Sequence, residues 1–82
     1  MHPSLIQGLD LYDQDWSSDI ETIEGKFGEV TVVKVIISAK GRRRTGVAPV
    51  FYNREGSNHY ALQEATDRAF EQAAKQFGVT IT

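Results

Sequence analysis

An α+β fold is predicted by three features of the chain. A dense β-branched run spans Glu29 to Ala39, alternating segments lie on both sides of it, and an alanine-rich amphipathic stretch follows. Together they predict a three-stranded antiparallel meander with a long C-terminal helix packed on one face, in the order α-β-β-β-α or β-β-β-α. The 82 residues have room for a single domain, 1–82. It divides into an N-terminal arm or short helix over 1–15, a β-meander over 16–52 and a C-terminal helix over 58–77. A domain this small buries only ~60% of its unfolded surface, so its core is thin.

Leu5, Ile6, Leu9 and Tyr12 recur at helical spacing, with Ser4 placed as a cap and Gly8 opposing the helix. From Trp16 to Glu24 apolar and polar residues alternate, and Gly25-Lys26-Phe27-Gly28 supplies a turn. The next run is the central strand. Val33, Val35, Ile37 and Ala39 form one face of it, and Val30, Val32, Lys34 and Ile36 the other. A strand apolar on nearly both faces belongs in the middle of a sheet. Lys40-Gly41-Arg42 makes the next turn, and Arg44 to Tyr52 forms a third strand, which Pro49 restricts to an edge or a bulge. A loop over Asn53 to Asn58 leads to the helix.

In the helix, Leu62, Ala65, Ala69, Phe70, Ala73 and Phe77 draw one apolar stripe. Glu64 with Arg68 and Glu71 with Lys75 are favourably oriented i,i+4 pairs. Gly78 stands where a terminal glycine closes a helix, with Val79 positioned to fold back onto Ala74. The four-residue row Ala61, Ala65, Ala69 and Ala73 allows close approach to a sheet or to a second helix. Val79 to Thr82 offer a short extra strand.

Composition narrows the functional classes. Cysteine is absent, which removes disulfides and thiolate metal sites, and no cofactor is expected. The two histidines, His2 and His59, are far apart, and His59 has no recognisable partner for acid–base work. Asp13 and Asp15 lack the glycine and closing glutamate of a calcium loop. Gly41 to Gly46 is glycine-bounded and basic, but without the lysine and hydroxyl of a phosphate-binding loop. The expectation is a non-enzymatic protein. No apolar run approaches the ~20 residues that cross a membrane, and the opening residues lack the basic and apolar regions of a signal peptide. Cytoplasm is the expected compartment.

The net charge of −2 is unevenly spread. Asp10, Asp13, Asp15, Asp19, Glu21 and Glu24 precede Lys26, Lys34, Lys40, Arg42, Arg43 and Arg44. Either neighbouring strands neutralise one another through ion pairs, or a charged partner does so. The arginine run leads to the first functional expectation, a nucleic-acid-binding surface of Lys40, Arg42, Arg43 and Arg44. Guanidinium forks match phosphate, Lys26 would extend the edge, and Phe51 or Tyr52 would stack on bases. The competing reading is a basic strand edge that blocks aggregation. The second expectation is a homo-oligomer or protein-docking module that uses Val30, Val32 and Ile36, which one helix leaves uncovered.

The segment Glu64 to Gly78, EATDRAFEQAAKQFG, following a β-meander, resembles the C-terminal helix of single-strand-annealing homologous-pairing proteins, which have a double-stranded-RNA-binding-domain-like fold. Glu64, Ala65, Ala73 and Gln76-Phe77-Gly78 follow that family's pattern, and Thr66-Asp67 and Ala69 stand one residue out of step. Gln72 and Lys75 occupy positions that are basic in the family. The resemblance implies DNA binding along the basic hairpin and assembly into rings or other oligomers. Ordinary double-stranded-RNA-binding domains open this helix with a lysine cluster. Here it reads His59-Tyr60-Ala61-Leu62-Gln63, so duplex RNA binding of that kind is not expected.

Overall fold

Stiff Val and Ile side chains favour the pleated backbone of β2 (Val30–Ala39), and the chain organises itself around that strand. The computed structural model describes residues 3–52 and 58–79. The expected loop after Tyr52, the His59 side chain and any strand beyond Val79 lie outside those residues. Before β2 come α1 (Pro3–Tyr12) and β1 (Ser17–Glu24), and after it β3 (Arg42–Pro49) and α2 (Asn58–Lys75). The three strands form one antiparallel sheet in the order β1-β2-β3, the predicted meander.

α1 starts at Pro3, where a helix tolerates the missing N–H, so Ser4 lies inside it rather than capping it. Leu5 and Leu9 are buried, so this segment is a docked helix and not an arm. Gly8 has a packing reason: a Cβ there would sit 2.5 Å from Cγ1 of Val79. α2 closes as its sequence predicts. Gly78 takes φ 83°, its N–H donates to the Lys75 carbonyl at 2.9 Å, and Val79 N–H donates to Ala74 at 3.2 Å. That ending turns Val79 into the core beside α1.

Val33, Val35, Ile37, Ala48, Ala65, Ala69, Phe70 and Ala73 build the core between the sheet and α2, joined by Leu5 and Leu9. The helix lies over β2 and β3, while every residue of β1 is exposed. Its small residues meet a matching one on the strand. At Gly46 a Cβ would overlap the Ala69 carbonyl oxygen and stand 2.9 Å from the Ala73 nitrogen. The alanine row is therefore used for packing on the sheet. The predicted helix pairs Glu64–Arg68 and Glu71–Lys75 are both formed.

At this close approach, Gln72 accepts the Val47 N–H through Oε1 (3.1 Å), and Gln76 Nε2 donates to the Thr45 carbonyl (2.7 Å). Two glutamines thus occupy the outer edge of β3, which would otherwise be open to another strand.

The second face of the sheet departs from expectation. Residue rows across it read Ser17, Ser38, Arg43; then Asp19, Ile36, Thr45; then Glu21, Lys34, Val47; then Ile23, Val32, Pro49. Ile36 is only 7% exposed although it faces away from α2, because its flanking strands shelter it. Val30 packs against the core, not the open face, because a register shift at Ile23/Glu24 adds Thr31 to β2 and breaks the alternation. Of Val30, Val32 and Ile36, only Val32 is both on that face and partly exposed.

The fit at Gly46 gives the first prediction. Gly46→Ala should destabilise the chain by about 1–3 kcal/mol or more, since helix backbone would have to move. Urea unfolding followed by circular dichroism checks this, with Gly41→Ala, whose site is open but has φ 73°, as a comparison.

Candidate nucleic-acid interface

The turn between β2 and β3 contains only Lys40 and Gly41, with φ of 50° and 73°. Positive φ at both positions marks the hairpin turn whose twist matches the flanking strands. Glycine adopts it freely, whereas a lysine there costs about 1–2 kcal/mol. Asp13, just beyond α1, offsets that cost by accepting the Lys40 N–H at Oδ2 (2.8 Å) and the Asp15 N–H at Oδ1 (2.9 Å). These two backbone donors, Lys40 first, hold the Asp13 carboxyl below its ordinary range.

Because the turn is so short, β3 begins at Arg42 and the arginines lie in the strand rather than on a loop. Strand alternation then separates them. Arg42 and Arg44 pair with Ala39 and Ile37 on the side of the helices, and Arg43 pairs with Ser38 on the opposite side. The expected single cluster is divided between two faces of one hairpin end.

Two of the four cations have aromatic partners within the domain. Lys40 Nζ lies 4.3 Å from the centre of the Tyr12 ring, and the Arg44 guanidinium carbon 5.9 Å from that of Phe77. Tyr12 and Phe77 are themselves in contact, with centroids 5.4 Å apart. The sequence Lys40, Tyr12, Phe77, Arg44 therefore runs as a cation–aromatic–aromatic–cation row that ties both helices to the hairpin. Each such cation contact contributes about 0.5–1 kcal/mol at an exposed site. Arg44 also donates from Nη1 to the Arg43 carbonyl (2.8 Å). Among the described residues, the Arg42 and Arg43 guanidiniums have no partner. Beside the row, Gln7, Leu11, Tyr12, Phe77 and Val79 line an open groove of about 530 Å³ between α1 and the end of α2.

Three expected contributors sit elsewhere. In a meander, successive turns fall at opposite ends of the sheet, so Lys26 is a sheet length from Lys40. Phe51 and Tyr52 follow the far end of β3, where Tyr52 donates its hydroxyl to the Val30 carbonyl at 2.5 Å. The aromatic neighbours of the basic end are Tyr12 and Phe77, both of which the sequence presented as ordinary positions on amphipathic helices. The charge asymmetry is met only in part within the sheet. Among the described residues one cross-strand ion pair forms, Lys34 Nζ to Glu21 Oε2 at 3.7 Å. The acids of β1 and the arginines of β3 are kept apart by β2.

Among the described residues, no group of His, Asp and Glu side chains is placed to hold a metal ion, and no helix is long and apolar enough to cross a membrane. No protein-family model, curated protein or solved structure matches the chain.

Asp13 makes the hairpin end sensitive to acid. Its folded pKa is below its unfolded value, so the stability it adds is present above the ordinary carboxylate range and lost as pH falls through the folded pKa. Thermal melts of the wild type should show that acid loss. Asp13→Ala should melt lower at neutral pH and lack this component of the profile.

Proposed function

We infer that the domain is a small non-enzymatic module that binds nucleic acid through the hairpin end carrying Lys40, Arg42, Arg43 and Arg44. The observation that supports this reading most directly is the pair Arg42 and Arg43. Among the described residues these two guanidiniums, on opposite faces of one strand end, have no counter-ion, and a phosphate backbone would supply one. Lys40 and Arg44, already held by Tyr12 and Phe77, give that end a fixed geometry, and the adjoining groove offers apolar surface to an unstacked base. The resemblance of Glu64 to Gly78 to single-strand-annealing proteins points the same way.

A second reading, self-association through the open sheet face, is favoured by one specific observation. Ile23 and Val47 are 53% and 47% exposed there, with Val32 and Pro49 between them in the register. They make an apolar patch at the end of the sheet away from the arginines. If it joins two copies, sedimentation should show a mass that rises with concentration, and Val47→Asp should return it to that of one chain.

Fluorescence anisotropy with labelled single- and double-stranded oligonucleotides tests the first reading. Binding should weaken linearly on a log–log plot of affinity against salt. Replacing Arg42 and Arg43 by alanine should lower the slope by about 1 for each lost phosphate contact. Absence of salt-sensitive binding at low ionic strength would remove this reading.

A further inference from the structure

The two edges of the sheet are treated differently. Gln72 and Gln76 hydrogen-bond the outer edge of β3, but no described residue covers the outer edge of β1. The register fixes which groups are free. Thr45 and Val47 direct their backbone groups outward, so the residues between them bond β2. The alternate residues of β2 then bond β1 through Asp19, Glu21 and Ile23, leaving the N–H and C=O groups of Ser18, Ile20 and Thr22 pointing away from the sheet.

The side chains along that edge are equally specific. Asp19 and Glu21 stand on the open face, and Ile20, 53% exposed, on the side of the helices, where α2 lies over β2 and β3. Ser17–Glu24 contains no lysine or arginine. Only Glu21 has a described ion-pair partner, Lys34, and both of those side chains remain exposed.

We propose that the free edge of β1 takes an extended segment of another protein, in which basic and β-branched residues alternate, as a fourth antiparallel strand. Its apolar residues lie beside Ser18, Ile20 and Thr22 and its basic residues opposite Asp19 and Glu21, so one register satisfies backbone, charge and apolar surface together. Charge selects this occupant over a second copy. Antiparallel β1–β1 pairing would crowd Asp19, Glu21 and Glu24 of both chains, and the β3 edge of a second copy is already occupied by its glutamines.

The test is a titration of the isotope-labelled full chain with the capped peptide Val-Lys-Val-Lys-Val, read by amide hydrogen exchange and chemical shift. Exchange should slow at Ser18, Ile20 and Thr22. The peptide Val-Glu-Val-Glu-Val, or the lysine peptide N-methylated at alternate residues, should not produce that protection. Joint replacement of Asp19 and Glu21 by lysine should weaken binding about tenfold, as two cross-strand charge pairs become repulsive. Arg42→Ala should leave it unchanged. The N-methylated peptide decides the matter on the wild-type chain if the double variant does not fold. Equal binding of the acidic or N-methylated peptide would overturn the proposal. So would the absence of protection at those three amides, or protection that appears without peptide as chain concentration rises.

Discussion

The contact between α2 and β3 at Gly46 governs most of what surrounds it. With no Cβ on the strand and only alanines on the facing helix, two backbones come together where larger side chains would hold them apart. That closeness brings Gln72 and Gln76 within reach of Thr45 and Val47, so a packing decision also settles the fate of a strand edge. It directs the end of α2 toward the hairpin, where Phe77 meets Tyr12 and Arg44. The Schellman ending then sends Val79 into the notch left by Gly8, which fixes α1. A small domain without disulfides gains its rigidity from this succession of close contacts more than from the size of its core.

Polarity along the sheet follows from the meander. One end carries the short turn with Lys40 and the first residues of β3, held by Asp13 and two aromatic rings. The other carries the glycine-bracketed turn, the register shift and the exposed aromatics Phe27 and Phe51. The basic residues at the first end fall into two kinds. Lys40 and Arg44 belong to the packing of the domain, whereas Arg42 and Arg43 are its outward charges.

Much of the architecture could be read in the residues. β2 declared itself through its Val and Ile content, α2 through its stripe and Gly78, and the edge position of β3 through Pro49. Long, strongly patterned segments carry their own evidence because propensity, period and caps agree. What escaped depended on single-residue geometry. One extra residue in β2 moved Val30 to the core, and a turn of two residues instead of a looser one placed Arg42 to Arg44 in a strand and divided them between faces. The roles of Gln72, Gln76 and Tyr12 arise between elements distant in sequence, so no local pattern announces them. The placement of Lys26 was within reach, since consecutive turns of a meander lie at opposite ends.

The unequal support of the strands also shapes how the domain opens. β2 and β3 are clamped between each other, the helix and the glutamines, whereas β1 is an edge strand paired with β2 and all of its residues are exposed. Local opening free energies follow such support, so β1 forms the least protected cooperative unit of the sheet. It can detach while the hairpin and α2 stay assembled. Such opening leaves β1 a segment tethered between the docked α1 and β2, with Leu5 and Leu9 still in the core, and does not require the global unfolding barrier to be crossed.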